Sequence, residues 1–143
     1  MEVALTPIEF ARRARRLYAD REAVVDGDLR FTYSEFLDRC DRWSTALQNM
    51  GVQQGDRVAY IAPNTHSHLN AFYAVPRIGA VLGPINYRLL PDDFDYIINH
   101  CGAKVICVHP DYFDAIDGIR SQLTSVEKFV ALEGSRDNWL DYE

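Results

Sequence analysis

A chain of 143 residues, 48% hydrophobic and 25% charged, is long enough for one domain with its own core. Lys and Arg number 15 against 21 Asp and Glu, and the net charge of -6 argues against a nucleic-acid or anionic-membrane surface as the main role. No apolar run approaches the roughly 20 residues that cross a bilayer, no apolar segment marks a signal peptide, and three cysteines without motif spacing (Cys40, Cys101, Cys107) suit a reducing, cytoplasmic compartment.

Thr6 to Tyr18 reads as a helix, with Thr6 as N-cap, Pro7 at the first helical position and Glu9 three residues on. Phe10, Ala14 and Leu17 share one face. Arg12, Arg13, Arg15 and Arg16 read as a solvated face whose stems cover apolar surface. Glu22 to Phe31 reads as a hairpin turning at Asp26-Gly27-Asp28, since Asp-Gly between apolar arms is a strong hairpin signal.

Thr32 to Met50 is the best-defined helix. Thr32 and Glu35 make a capping box, Phe31 and Phe36 a hydrophobic staple, and Phe36, Cys40, Trp43, Leu47 and Met50 a core stripe. Arg57 to Ala62 reads as a strand. Asn64 or Thr65 then caps a helix carrying Leu69, Phe72, Tyr73 and Ile78, in which Pro76 is expected to kink or loosen a turn near Phe72. His66 and His68, two residues apart on that helix, diverge and read as exposed polar residues.

Gly79 reads as a helix end, Ala80 to Ile85 as a strand covered on both faces, and Asn86-Tyr87-Arg88 as a turn. Pro91, Asp92 and Asp93 open the next helix, with proline where no N–H is needed and acids at the positive end of the dipole. Phe94, Ile97, Ile98 and Cys101 form its stripe and Gly102 its cap. A strand over Lys104–Val108, a helix marked by Tyr112, Ile116, Ile119 and Leu123, and a strand over Lys128–Leu132 follow. The polar tail Glu133–Glu143 carries Trp139 and Leu140 as docking residues. Strands alternating with helices across short turns predict an α/β fold, a parallel sheet with flanking helices plus a short N-terminal hairpin.

Ligands of such sheets bind at the carboxyl ends of the strands. Those ends hold Asn64, Asn86, Arg88 and Asp111, with no glycine-rich phosphate loop, no nucleophile elbow and no zinc spacing. Arg88 is the best strand-end anion candidate, and its stronger reading is structural, pairing with Asp92 or Asp93 or bonding loop carbonyls to hold the turn. The residues alone therefore assign no catalytic, cofactor or metal position.

FTYSEF (Phe31–Phe36), MGVQQGDRVAYIAPN (Met50–Asn64), RIGAVLGPINYRLLPDDFDYII (Arg77–Ile98) and GAKVICV (Gly102–Val108) resemble, in order and spacing, the opening blocks of the adenylate-forming (AMP-binding) enzymes. LTPIEFARRARRLYADREAVVDGD (Leu5–Asp28) is similar to their usual lead-in. The likeness is to the fatty-acyl-CoA synthetase branch, and the run from Leu5 to Tyr18 with Pro76 resembles medium-chain-type ligases. The resemblance implies the Rossmann-like half of that family's N-terminal domain. It also implies a ligase that activates a fatty or other carboxylic acid with ATP and Mg2+ to an acyl-adenylate, then transfers it to coenzyme A. The family's phosphate loop, metal glutamate, ribose aspartate and adenylating lysine lie downstream of the matched region, so none is carried onto residues 1–143. Leu90 stands where relatives often place a Thr or Ser cap.

The expectation is thus an N-terminal portion of an acyl-CoA synthetase, inactive alone, with the remainder of the ligase as its partner and with an uncovered apolar edge favouring self-association or a homodimer. A stand-alone nucleotide- or protein-binding module, or a truncated non-catalytic paralogue, are the alternatives.

Overall fold

The computed structural model describes residues 6–143. Helix α1 (Pro7–Tyr18) leads into the hairpin β1 (Glu22–Asp26) and β2 (Leu29–Thr32). Then come α2 (Tyr33–Asn49), β3 (Arg57–Ile61), α3 (His66–Arg77), β4 (Val81–Ile85), α4 (Pro91–Cys101), β5 (Ala103–Val108), α5 (Phe113–Ile119), β6 (Lys128–Ala131) and β7 (Leu140–Asp141). Strands β3 to β7 form one parallel sheet in the order β4-β3-β5-β6-β7. The hairpin is a separate antiparallel pair.

The central strands β3, β5 and β6 are largely apolar because each faces two cores. Val58, Tyr60, Val105, Cys107 and Val130 point to the face covered by α2 and α3. Their neighbours Ala59, Ile61, Ile106, Val108 and Phe129 point to the face covered by α4 and α5. The period of two along a strand thus divides one apolar run between two helix layers.

Helix α2 starts as its sequence predicts. Thr32 Oγ1 accepts the Glu35 N–H at 3.3 Å, and Glu35 Oε2 accepts the Thr32 N–H at 2.8 Å. The stripe Phe36, Cys40, Trp43 and Leu47 is buried, and Trp43 Nε1–H donates to the Tyr60 hydroxyl at 2.7 Å. Cys40 and Cys107 are buried thiols, while Cys101 is half-buried.

Several expectations need correction. Phe10 and Leu17 are 60% and 49% exposed; α1 docks instead through its Ala11 and Arg15 side, where Arg15 bonds Asp38 and Asp41 of α2 at 2.7 and 2.8 Å. A long arginine stem and two ion pairs set the helix rotation in place of the apolar stripe. Strand β4 is not covered on both faces: it is the sheet edge, and Val81 is 50% exposed. Pro84, which has no N–H to give, is tolerated there. Helix α3 runs through Pro76, which falls in its last turn beside Arg77. The segment after β5 is shorter than predicted, with 3-10 turns at Pro110–Tyr112 and Arg120–Gln122 around α5. Trp139 docks as expected, buried against Phe113 and Phe129, whereas Leu140, also expected to dock, is 45% exposed.

Candidate functional site

The carboxyl ends of β3, β5 and β6 open on the same side of the sheet and next to the hairpin turn. After β3, Pro63-Asn64-Thr65 leads the chain into α3, whose first residue is His66. Thr65 occupies the N-cap position, but its side chain caps nothing; its hydroxyl lies 2.9 Å from Ser67 Oγ instead. The missing cap comes from the hairpin. Asp26 Oδ2 accepts the His66 backbone N–H at 2.8 Å and lies 2.7 Å from His66 Nδ1. A carboxylate at a helix N-terminus meets free N–H groups and the positive end of the dipole. The His66 amide and, after it, the imidazole hold the Asp26 carboxyl below its ordinary range. Since ionised Asp26 only accepts, Nδ1 carries the proton and donates it. This pairing buries His66, 6% exposed, where an exposed residue was expected.

Glu133 arrives from the end of β6 in the left-handed region, at φ 53°. Its carboxylate accepts the Ser67 hydroxyl hydrogen and lies 3.7 Å from His109 Nε2, at the end of β5. Asp26, His66 and Glu133 each offer one donor atom, and these atoms all lie within 4.8 Å of one another. Among the described residues, neither Asp26 nor Glu133 pairs with an Arg or Lys. On the other side of His66, Nε2 lies 3.7 Å from Glu143, which is held by a two-nitrogen contact from Arg39. Tyr142 anchors that tail, accepting from Asn70 Nδ2 at 2.8 Å.

His68 is also buried, at 7% exposure, and not solvated as expected. Its ring stacks between Tyr60 and Phe72, with both centroids 5.5 Å away. Nδ1–H donates to the Pro63 carbonyl at 3.2 Å, which leaves Nε2 buried without a partner among the described residues. Val25, Asp26, His66, His68, Leu69 and Phe72 line a groove of about 220 Å³ between hairpin and α3.

The strand-end residues singled out from sequence are not gathered into one site. Asn64, Asn86, Arg88 and Asp111 are all exposed. Asn86 Oδ1 accepts the Arg88 N–H at 3.1 Å, and Asp111 lies 3.4 Å from His109 Nδ1. Arg88 does not pair with Asp92 or Asp93; its guanidinium lies over the Tyr87 ring at 5.5 Å. Asp93 is used instead to accept the Leu90 N–H at 3.1 Å, which is half of a capping box that leucine cannot complete. Sequence reasoning missed Asp26, His66 and Glu133 because they lie 40 and 67 residues apart, beyond any local motif.

The family model for AMP-binding enzyme matches residues 10–141. The chain belongs to the AMP-binding enzyme family. It is 37% identical over 148 aligned positions to a long-chain-fatty-acid–CoA ligase of Thermus thermophilus, covering 100% of this chain and 27% of that protein. It is 38% identical over 119 residues to 4-hydroxybutyrate–CoA ligase 2 of Metallosphaera sedula, covering 83% of this chain and 22% of the relative. Among solved structures, a putative long-chain-fatty-acid CoA ligase from Rhodopseudomonas palustris superposes with a TM-score of 0.90 at 30% identity, over 96% of this chain and 35% of that one. An anthranilate CoA ligase in complex with anthranoyl-AMP superposes with a TM-score of 0.93 at 24% identity and shares the fold, over 99% of this chain and 28% of that one. This AMP-binding family chain thus spans about a quarter of the length of the curated relatives it matches. Its parallel sheet with flanking helices and small hairpin is the N-terminal fold of such ligases.

Proposed function

We propose that this chain is the N-terminal portion of an ATP-dependent acid–CoA ligase. The complete enzyme would convert a carboxylic acid to its acyl-adenylate with ATP and Mg2+, then to the coenzyme A thioester. The observation that carries the reading is the alignment with a fatty-acid–CoA ligase along the whole chain. In this reading residues 1–143 supply a scaffold, a doubly covered sheet on which the rest of the ligase domain is built, and that remainder is their partner.

The chain alone does not form an acyl-adenylate. Adenylation relies on cations and amide donors positioned around the phosphates. The carboxyl end of this sheet carries Asp26, Asp111 and Glu133, with Arg88 stacked on Tyr87. That rim repels a triphosphate. Carboxylate-dependent exchange of pyrophosphate into ATP, with purified chain and a panel of fatty and aromatic acids, is expected to stay at background. Turnover in a preparation free of any full-length synthetase would overturn the proposal that the adenylation site lies outside these residues.

A further inference from the structure

We propose that Asp26, His66 and Glu133 form a binding site for one divalent transition-metal ion of the zinc class. This inference is independent of the ligase reading. The three residues come from separate elements, the hairpin turn, the first residue of α3 and the end of β6, yet their donor atoms fall within 4.8 Å of one another. One imidazole nitrogen and two carboxylate oxygens form a mixed set once the ion displaces the Nδ1 proton that Asp26 otherwise accepts, and that proton leaves to solvent. Imidazole selects zinc, cobalt or nickel, whereas magnesium and calcium prefer oxygen donors alone. Three protein donors would leave a further coordination position for water, as in zinc sites that are not fully closed by protein.

The surroundings fit a cation. Among the described residues, no arginine or lysine pairs with the two carboxylates. Their negative charge is met, among the described residues, by imidazoles, an amide and the Ser67 hydroxyl. The Ser67 hydroxyl bonds Glu133, and His109 stands 3.7 Å behind its other oxygen. These are the outer contacts that orient ligating carboxylates. His66 is held nine-tenths buried by α3 and the hairpin, so its ring is positioned before any ion arrives. His68, on the same helix and lining the same groove, keeps a buried Nε2 with no partner among the described residues.

The test uses the untagged 143-residue chain, stripped with chelator and titrated with Co2+ as a visible probe. One cobalt per chain is expected, with nitrogen–oxygen ligand-field bands in the visible and no thiolate charge-transfer band. Zn2+ should displace it, Mg2+ in large excess should not, and Zn2+ should raise the melting temperature. Glu133→Gln keeps the size of the side chain and its acceptor for Ser67, and is expected to weaken Co2+ binding by at least roughly tenfold. Asp26→Asn is expected to do the same, and Asp114→Asn, remote from the site, to change nothing. Circular dichroism confirms that the variants are folded. Absence of stoichiometric binding by wild type overturns the proposal. So does a thiolate band, or undiminished binding by folded Glu133→Gln and Asp26→Asn.

Discussion

At the scale of single residues, the helix caps divide into those supplied locally and those supplied from a distance. Thr32 is local: its hydroxyl accepts the Glu35 N–H, and Glu35 returns the bond. Thr32→Ala removes an acceptor from the first turn of α2 and is expected to cost about 1 kcal/mol. The check is a urea denaturation series, and equal midpoints for wild type and variant would count against this helix start. Asp26 is the distant kind. It caps α3 across 40 residues of sequence, a contact that no local pattern announces.

At the scale of elements, α4 shows how a helix end is built jointly with a strand. Gly102 takes the left-handed conformation, at φ 62°. Arg57, at the start of β3, donates Nε–H to the Cys101 carbonyl at 2.7 Å and Nη2–H to the Gly102 carbonyl at 2.8 Å. These bonds satisfy carbonyls that a helix end leaves open. A methyl group at Gly102 would stand 2.8 Å from Arg57 Nη2. Gly102→Ala therefore meets both the left-handed penalty of about 1 kcal/mol and displacement of the capping guanidinium. Expected is a loss of at least about 1 kcal/mol in urea unfolding; Gly118→Ala, where nothing lies within 4 Å of the added methyl, should lose less.

At the scale of the whole molecule, burial sets the pH range of stability. Burial pushes the Cys40, Cys107 and Tyr142 groups up to about 12. In the unfolded chain thiols ionise near about 8.5 and phenols near about 10. Above about pH 8.5 the unfolded state therefore binds fewer protons than the folded one, and stability falls as pH rises. On the acid side, the Gln53 amide holds Asp56 below its ordinary value, and the Thr32 amide and hydroxyl do the same for Glu35. That contribution is present above the unfolded carboxylate range and is lost as pH falls through the folded values. Urea midpoints measured from pH 3 to 11 (about the range these groups span) should show a plateau between about pH 5 and 8 that falls on both sides. A flat alkaline limb would contradict the burial of these thiols and of Tyr142.

Much of the architecture was legible in the residues because it rests on local rules. Capping boxes, an Asp-Gly turn, Gly102 and apolar runs separated by helical stripes place the hairpin, α2, β3, α4 and β5, and adjacent elements of this kind build a parallel sheet. The blocks from Phe31 to Val108 carry the family resemblance as well, since each is a contiguous string. Strand order was another matter. The run from Ala80 to Ile85 is as apolar as a central strand, and only the pairing of β3 with both β4 and β5 makes it an edge. Burial of the two histidines was decided the same way. His66 and His68 look polar and terminal until Asp26 arrives from the hairpin and Tyr60 and Phe72 close around the second ring. Periodicity speaks only for neighbours a few residues apart. The cluster of Asp26, His66 and Glu133 exists because the tertiary fold brings three distant chain positions to one end of one sheet.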